Sequence, residues 1–164
     1  MGTSNYERNV LPTGVVEFVV HPADLPTASG GPAGFVIKLI PFGAWLFRLI
    51  HEMAYEKPME KIRSSGGRFS VDGNGIRQGD GVMIPKDRIH RLVIKNSVTD
   101  DPRYIGTHGR GMQEHARMTD LNRAAAVSYT LVAEAAGQGY TLAGGMTETT
   151  AYGLMQDVRA ALGQ

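Results

Sequence analysis

Short segments of alternating hydrophobic and polar residues recur along the chain. In residues 14–20, GVVEFVV, the residues Val16, Phe18 and Val20 fall on one face of a predicted strand. The same period of two is found in residues 68–78, 81–97 and 125–145. The last of these segments predicts a hairpin whose turn lies near AGQG. Repeated short strands with turns between them are typical of antiparallel β-structure.

A second pattern, with apolar residues three or four positions apart, predicts an amphipathic helix near residues 35–57. The residues that carry it are Phe35, Leu39, Phe42, Leu46, Leu49 and Met53. A transmembrane helix needs about 20 predominantly apolar residues. Here only nine residues separate the charged Lys38 from the charged Arg48, and Pro41 is one of them. We therefore expect a helix that is buried in the core or lies on a membrane or a partner.

The end of the chain predicts a second helix over residues 147–163. Thr147 is a suitable N-cap, Glu148 favours the positive end of the helix dipole, and Gly163 is a suitable stop. One apolar face contains Ala151, Leu154, Val158 and Leu162. This face predicts that the helix packs against the strands.

Glycines are concentrated in the segment VDGNGIRQGDG, residues 71–81, which suggests either a ligand-binding loop or tight turns. The dinucleotide motif requires a third glycine where Gln78 stands, and no P-loop Gly-Lys-Ser or Gly-Lys-Thr follows. A calcium loop that began at Asp72 would have Ile76 and Arg77 at its fifth and sixth positions. We therefore predict two turns, in which DGNG and GDG supply positive φ angles.

Charge and composition exclude several functions. The chain has 17 Lys and Arg residues against 16 Asp and Glu residues, so its formal net charge is +1. This balance argues against a strong attraction to nucleic acid. The absence of cysteine excludes disulfides, thiolate metal sites and thiol nucleophiles. The first twenty residues lack the pattern of a signal peptide, so we expect a cytoplasmic location, with peripheral contact to the inner membrane as an option.

The segment from residue 68 to residue 94 resembles the strand–turn–strand unit of bacterial pleckstrin-homology-like (PH-like) domains. The matching residues are Phe69, Val71, Asp72, Gly75, Ile76, Ile84, Pro85, Ile89, Leu92 and Ile94. The resemblance implies a single α+β domain over residues 1–164, namely a small antiparallel PH-like barrel or sandwich capped by the C-terminal helix. Residues 35–62 would be a helical insertion, and residues 98–123 a long excursion with a short helix at 112–122.

PH-like domains as a group bind lipids, peptides or other proteins, so the resemblance implies a non-catalytic binding or assembly module. Loop 21–34 contains no Lys or Arg, which favours protein partners or self-association over inositol phosphates. We expect partner or membrane contact through the aromatic side of the first helix, at Phe42, Trp45, Phe47 and Arg48. An anionic ligand or partner would be bound by Arg103, Arg110 and Arg117.

Two other functions remain open. A metal-dependent enzyme would use His108, Glu114 and His115, although the two histidines are seven residues apart and a zinc-binding helix places them closer together. Weak nucleic-acid binding would use the arginines of the excursion. Our expectation is that the protein has no catalytic residues, no bound metal and no cofactor, and that His90 is a solvent-facing side chain.

Overall fold

The computed structural model describes residues 5–24, 67–100, 119 and 121–164. In these ranges the chain forms eight strands and one long helix. They are β1 (Asn5–Val10), β2 (Val16–His21), β3 (Arg68–Asp72), β4 (Gly75–Gln78), β5 (Met83–Pro85), β6 (Ile89–Asn96), β7 (Tyr129–Ala135), β8 (Gln138–Met146) and α1 (Glu148–Leu162). A 3₁₀ turn, Lys86–Arg88, joins β5 to β6. The α+β class with antiparallel sheets and a C-terminal helix is confirmed.

The first sheet contains β1 to β5 in sequence order, each strand antiparallel to the next. Its register aligns one apolar residue from every strand in a single row across the sheet. The row comprises Val10, Val16, Val71, Ile76 and Ile84. In the neighbouring row, the rings of Phe18 and Phe69 stack with their centroids 5.2 Å apart. The predicted strand is confirmed as β2, and the face with Val16, Phe18 and Val20 is the inner one, because all three side chains are buried.

The second sheet contains β6, β7 and β8, again in sequence order. Its inner face is apolar and comprises Leu92, Leu131, Ala133, Leu142, Ala143 and Met146. The predicted hairpin is confirmed: Ala136 and Gly137 form its two-residue turn with φ angles of 50° and 78°. Two consecutive positive φ angles match the right-handed twist of a hairpin.

Two hydrogen bonds connect the sheets along strand β8. Ala23, just after β2, donates its N–H to the carbonyl oxygen of Gly145 over 2.9 Å. The Gln78 side chain donates Nε2 to the carbonyl oxygen of Thr141 over 2.7 Å. The described strands nevertheless form two separate sheets and no closed barrel. The finer expectation of a PH-like sandwich stays a prediction.

Helix α1 closes the core over the inner faces of both sheets. Thr147 accepts a hydrogen bond from the Thr150 N–H, and Gly163 ends the helix in the left-handed conformation. The predicted apolar face is confirmed, since Ala151, Leu154 and Val158 are fully buried. The helix contacts β3, β6, β7 and β1. Its burial removes from water the apolar side chains that each small sheet would otherwise expose.

The glycine-rich segment forms two turns, as predicted, but the first turn has a different basis from the expected one. Asp72 Oδ1 accepts hydrogen bonds from the N–H groups of Asn74 (2.7 Å) and Gly75 (3.1 Å). Positive φ angles occur at Gly75 and Gly81 but not at Gly73 or Asn74. Within DGNG the predicted positive φ is therefore found at Gly75 alone, and the Asp72 carboxylate holds the centre of the turn.

Several sequence predictions concern residues outside the described ranges. These include the amphipathic helix near residues 35–57, the helical insertion at 35–62 and most of the excursion at 98–123. Within the excursion, residues 119 and 121–125 are helical, so the helical part extends beyond the predicted end of 112–122. No helix in the described ranges is long and apolar enough to cross a membrane. The single-domain organisation stays a prediction.

Gly75 and Gly73 provide a matched pair that tests the packing of the first turn. A Cβ atom on Gly75 would overlap the Ile84 carbonyl oxygen and lie 2.8 Å from the Lys86 nitrogen, whereas a Cβ on Gly73 meets nothing within 4 Å. We expect Gly75→Ala to lower the free energy of unfolding by about 1–3 kcal/mol. Gly73→Ala should change it by less than about 0.5 kcal/mol. Urea denaturation checks both values, and equal effects would contradict the observed turn.

Candidate functional site

Each sheet has two edges, and the four edges differ in how they are protected. Strand β5 has only three residues, and β8 is hydrogen-bonded to the first sheet through Gly145 and Thr141. Strand β6 has an irregular register near Ile89, and its far end is occupied by Asp100, whose Oδ2 accepts from the Asn96 N–H over 3.0 Å. Strand β1 has six residues in regular register. Among the described edge strands of more than three residues, it is the one with neither an irregular register, nor a side-chain cap on its backbone, nor a hydrogen bond to the other sheet.

The hydrogen-bond pattern shows which backbone groups of β1 point away from the sheet. Leu11 donates its N–H to the Val15 carbonyl oxygen over 2.8 Å, so positions 11 and 15 form a hydrogen-bonded pair. Hydrogen-bonded and non-hydrogen-bonded pairs alternate along an antiparallel ladder. The residues that exchange hydrogen bonds with β2 are therefore Asn5, Glu7 and Asn9. The residues whose N–H and C=O groups point outward are Tyr6, Arg8 and Val10.

The other side of β2 agrees with this assignment. Val20, opposite Tyr6, donates its N–H to the carbonyl oxygen of Gly67 over 2.6 Å, which means that its backbone groups face β3 and not β1. Consequently the backbone of Tyr6 receives no partner from β2. We call the outward side of strand β1, Asn5–Val10, the β1 edge.

Tyr6 connects the β1 edge to the C-terminal helix. Its hydroxyl donates a hydrogen bond of 2.8 Å to Asp157 Oδ2, and its ring lies 6.4 Å from the ring of Phe18. The hydroxyl lies next to Gly153 of the helix, where a Cβ atom would be in van der Waals contact with it at 3.4 Å. Partial burial, together with the hydrogen bond to the Asp157 carboxylate, raises the pKa of Tyr6 to about 12. The hydroxyl therefore stays protonated and acts as a structural link.

Arg8 and Val10 lie on the same side of β1 as Tyr6 but extend beyond the cover of the helix. They oppose Phe18 and Val16, both of which face the core, yet both Arg8 and Val10 are exposed. Val10 is 65% exposed and the adjacent Leu11 42%. The apolar row of the first sheet thus ends in a side chain that no described residue covers.

Around the β1 edge, the carboxylates on the outer side have side-chain partners, whereas the guanidinium on the inner side has no carboxylate partner among the described residues. On the outer side, Glu7 Oε1 lies 3.2 Å from His21 Nε2, and Glu17 Oε1 lies 2.9 Å from Arg68 Nε. On the inner side, Arg8 forms no ion pair with any carboxylate of the described residues. The edge therefore combines outward backbone groups, an exposed apolar end and one guanidinium that no carboxylate of the described ranges pairs with.

A second charged cluster lies on the outer face of the other sheet. Glu134 accepts a hydrogen bond of 2.6 Å from Arg91 Nε and lies 3.5 Å from Lys95 Nζ. The Arg91 hydrogen bond is the main cause that holds the pKa of Glu134 below its ordinary value. Lys95 lies opposite Thr130, and Glu134 lies opposite Arg91. The side chains of Lys95 and Glu134 therefore extend along the sheet to reach each other. In this cluster Arg91 and Lys95 share the carboxylate of Glu134, so both cations already have a partner.

Other polar groups near the core have structural partners, except Thr130 Oγ1, which is buried and has no hydrogen-bond partner among the described residues. Asn96 is buried, donates Nδ2 to the Ala125 carbonyl oxygen over 2.8 Å and accepts the Val98 N–H at Oδ1 over 3.1 Å. The Asp80 carboxylate accepts the Val82 N–H in the second glycine turn. No group of three or more His, Asp or Glu side chains in the described ranges is arranged to hold a metal ion.

The site residues expected from the sequence lie outside the described ranges. This applies to the partner- or membrane-contacting set of Phe42, Trp45, Phe47 and Arg48. It applies equally to Arg103, Arg110 and Arg117, and to the enzyme candidates His108, Glu114 and His115. These assignments stay predictions. His90 is exposed, as predicted.

The sequence analysis missed strand β1. NYERNV, residues 5–10, has only one aliphatic residue, so its period of two is weak. A usable signal was the sequence VLPTGVV, in which Pro12 and Gly14 stand between a short alternating segment and the predicted strand. Such a turn sequence indicates a hairpin.

Comparison with protein family models, with curated proteins and with solved structures finds no match to this chain.

The Tyr6–Asp157 hydrogen bond predicts that the stability difference between wild type and Tyr6→Phe depends on pH in the alkaline range. Because the pKa of Tyr6 is raised from 10.0 to about 12 in the folded protein, its contribution is complete below pH 10 and is lost as pH rises towards 12. We expect Tyr6→Phe to be less stable than wild type below pH 10, and the difference to shrink above it. Urea denaturation across this range checks the profile. The exposed Tyr152 supplies a control variant, Tyr152→Phe, and a constant Tyr6→Phe difference would contradict the link.

Proposed function

We propose that this protein is a non-catalytic binding and assembly module that acts through protein–protein contacts, and that the β1 edge is its contact surface. The observation that carries the proposal is the uninterrupted, exposed edge strand Asn5–Val10 with apolar residues at its end. Long exposed edges are usually blocked in proteins that do not pair through them, because they are templates for a further strand.

Strand addition at this edge has a clear energetic basis. Tyr6, Arg8 and Val10 together present three N–H donors and three C=O acceptors to an incoming strand. In strand addition the main-chain hydrogen bonds give affinity, while alternate side chains give specificity. Exposed apolar area at Val10 and Leu11 would be removed from water in the same step.

The resemblance to PH-like domains also supports the proposal, because members of that group bind peptides and proteins as well as lipids. We place the protein in the cytoplasm on the basis of the sequence alone. Peripheral contact with the inner membrane through Phe42 and Trp45 belongs to the same proposal, and so does self-association. For both we rely on the sequence pattern of residues 35–53.

Site-specific photocrosslinking tests the contact surface in the cell. A photoreactive benzoylphenylalanine replaces Val10 in one variant and Arg77, which is exposed on β4, in a control variant. We expect a discrete adduct from position 10 and none from position 77. Mass spectrometry then identifies the crosslinked protein.

The identified partner is next purified and bound to Arg8→Ala, which keeps the N–H of residue 8, and to Arg8→Pro. Proline lacks an N–H, and at position 8 that N–H points outward, so the pairing of β1 with β2 is preserved while the outward donor is lost. We expect affinity to fall roughly tenfold. Equal adducts at both positions, or equal affinity for the two proteins, would contradict a contact through the β1 edge.

A further inference from the structure

We infer that Arg8 selects the partner: the β1 edge binds an extended segment of another protein that carries a carboxylate opposite Arg8 and apolar residues two positions to either side. This inference rests on the proposed function and names the chemistry of the segment that the edge accepts. It follows from the side of β1 on which Arg8 lies, from the lack of a carboxylate partner for Arg8 in the part of the chain that the structure describes, and from its apolar neighbours.

The placement of Arg8 fixes where the partner's charge must be. Tyr6, Arg8 and Val10 alternate along one side of β1, and their outward backbone groups would pair with every second residue of an antiparallel strand. Directly opposite residues in such a pair lie on the same side of the sheet, with Cβ atoms about 5 Å apart. The partner residues opposite Tyr6, Arg8 and Val10 would therefore meet these three side chains.

Charge complementarity selects an acidic residue at the central position. An apolar residue opposite Arg8 would remove water from the guanidinium without replacing its hydrogen bonds, which is unfavourable. A basic residue would place like charges directly opposite each other, which destabilises a strand pair. A carboxylate supplies the ion pair that Arg8 lacks within the described residues.

Apolar residues fit the two flanking positions because of what lies next to them. The side chain opposite Val10 would extend the row of Val10, Val16, Val71, Ile76 and Ile84 by one residue. The side chain opposite Tyr6 would lie against a ring that is already partly buried on Phe18. The pattern recognised is therefore apolar–x–acidic–x–apolar in an extended conformation.

The same arginine opposes pairing of the edge with a second copy of itself. In a two-fold antiparallel pair that uses all three outward residues, Tyr6 is opposite Val10 of the other copy, and Arg8 is opposite Arg8 of the other copy. This register places two guanidinium groups directly opposite each other. Registers shifted by two residues avoid that clash but leave one of the three outward residues unpaired. The β1 edge therefore favours a different protein as its partner.

Disulfide tethering provides a direct test, because the chain contains no cysteine. Thr13→Cys places a single thiol at the exposed tip of the β1–β2 hairpin. Two synthetic peptides, Cys-Gly-Gly-Val-Thr-Glu-Thr-Val and the same sequence with Lys in place of Glu, then compete for this thiol in a glutathione redox buffer. In antiparallel pairing, the first Val lies opposite Val10 and the central residue opposite Arg8. A third peptide, with Pro in place of both Thr residues, measures capture without strand pairing.

We expect the Thr13→Cys protein to capture the Glu peptide about three- to fivefold more than the Lys peptide, given the size of cross-strand charge pairs. The double variant Thr13→Cys, Arg8→Glu should reverse this preference. A matched control, Thr13→Cys, Arg77→Glu, makes the same charge change on β4 and should keep the preference for Glu. Circular dichroism confirms that each variant is folded before it is compared.

Three results would overturn the inference, and they differ in what they say about the proposed function. Equal capture of the Glu and Lys peptides, both above the Pro peptide, would remove the role of Arg8 but keep strand pairing at the β1 edge. Equal capture of all three peptides would overturn the inference and count against strand addition here as well. A preference for Glu that survives Arg8→Glu would also overturn it, since another cation would then be responsible.

Discussion

Burial of two small sheets beneath one helix is the constraint on which the rest of the structure depends. Sheets of five and three strands each have one apolar face that must be covered, and α1 covers both with the single stripe of Ala151, Leu154, Val158 and Leu162. Fifteen residues make a helix about 22 Å long, which limits how much of the two sheets α1 can cover. Strand β1 lies at that limit, where the Tyr6 hydroxyl is hydrogen-bonded to Asp157 of the helix.

The limited length of α1 explains why strand β1 is held in place at Tyr6 and is exposed at Val10. Tyr6 contacts Phe18 and donates to Asp157, which fixes the strand on the core. Farther along the same side of β1 lies Val10, the last residue of the apolar row, and no described residue covers it. Arg8 lies between the two, and a charge on the inner side of an edge strand prevents indiscriminate pairing. The edge is therefore open to strand addition but restricted in what it accepts.

The sequence allowed most of the central fold to be predicted, because buried strands and helix ends leave strong local signals. Val16, Phe18 and Val20 alternate clearly, and Thr147 and Gly163 mark the helix ends in ways that depend only on neighbouring residues. The candidate site could not be predicted in this way. Arg8 occupies a core-facing position in strand β1, and such an interruption makes the alternation look like a polar loop. The lesson is that an edge strand with one inward charge is recognisable from the turn that follows it.

The separation into two sheets was also beyond the sequence. The break after β5 depends on the 3₁₀ turn Lys86–Arg88, where KDR continues the surrounding polar pattern without a glycine or proline of its own. The connection between the sheets uses Gln78, whose side chain spans to Thr141. Contacts between residues so distant in sequence leave no local pattern.

Amide hydrogen exchange by NMR tests the central claim most directly, because it measures the direction of each N–H group in β1. The account predicts slow exchange at Glu7, Asn9 and Leu11, whose N–H groups point to β2, and rapid exchange at Tyr6, Arg8 and Val10. Comparable protection at all six amides would show that the β1 edge is already covered. Rapid exchange at all six would show that β1 is not a stable strand of the sheet, and either result would contradict the account.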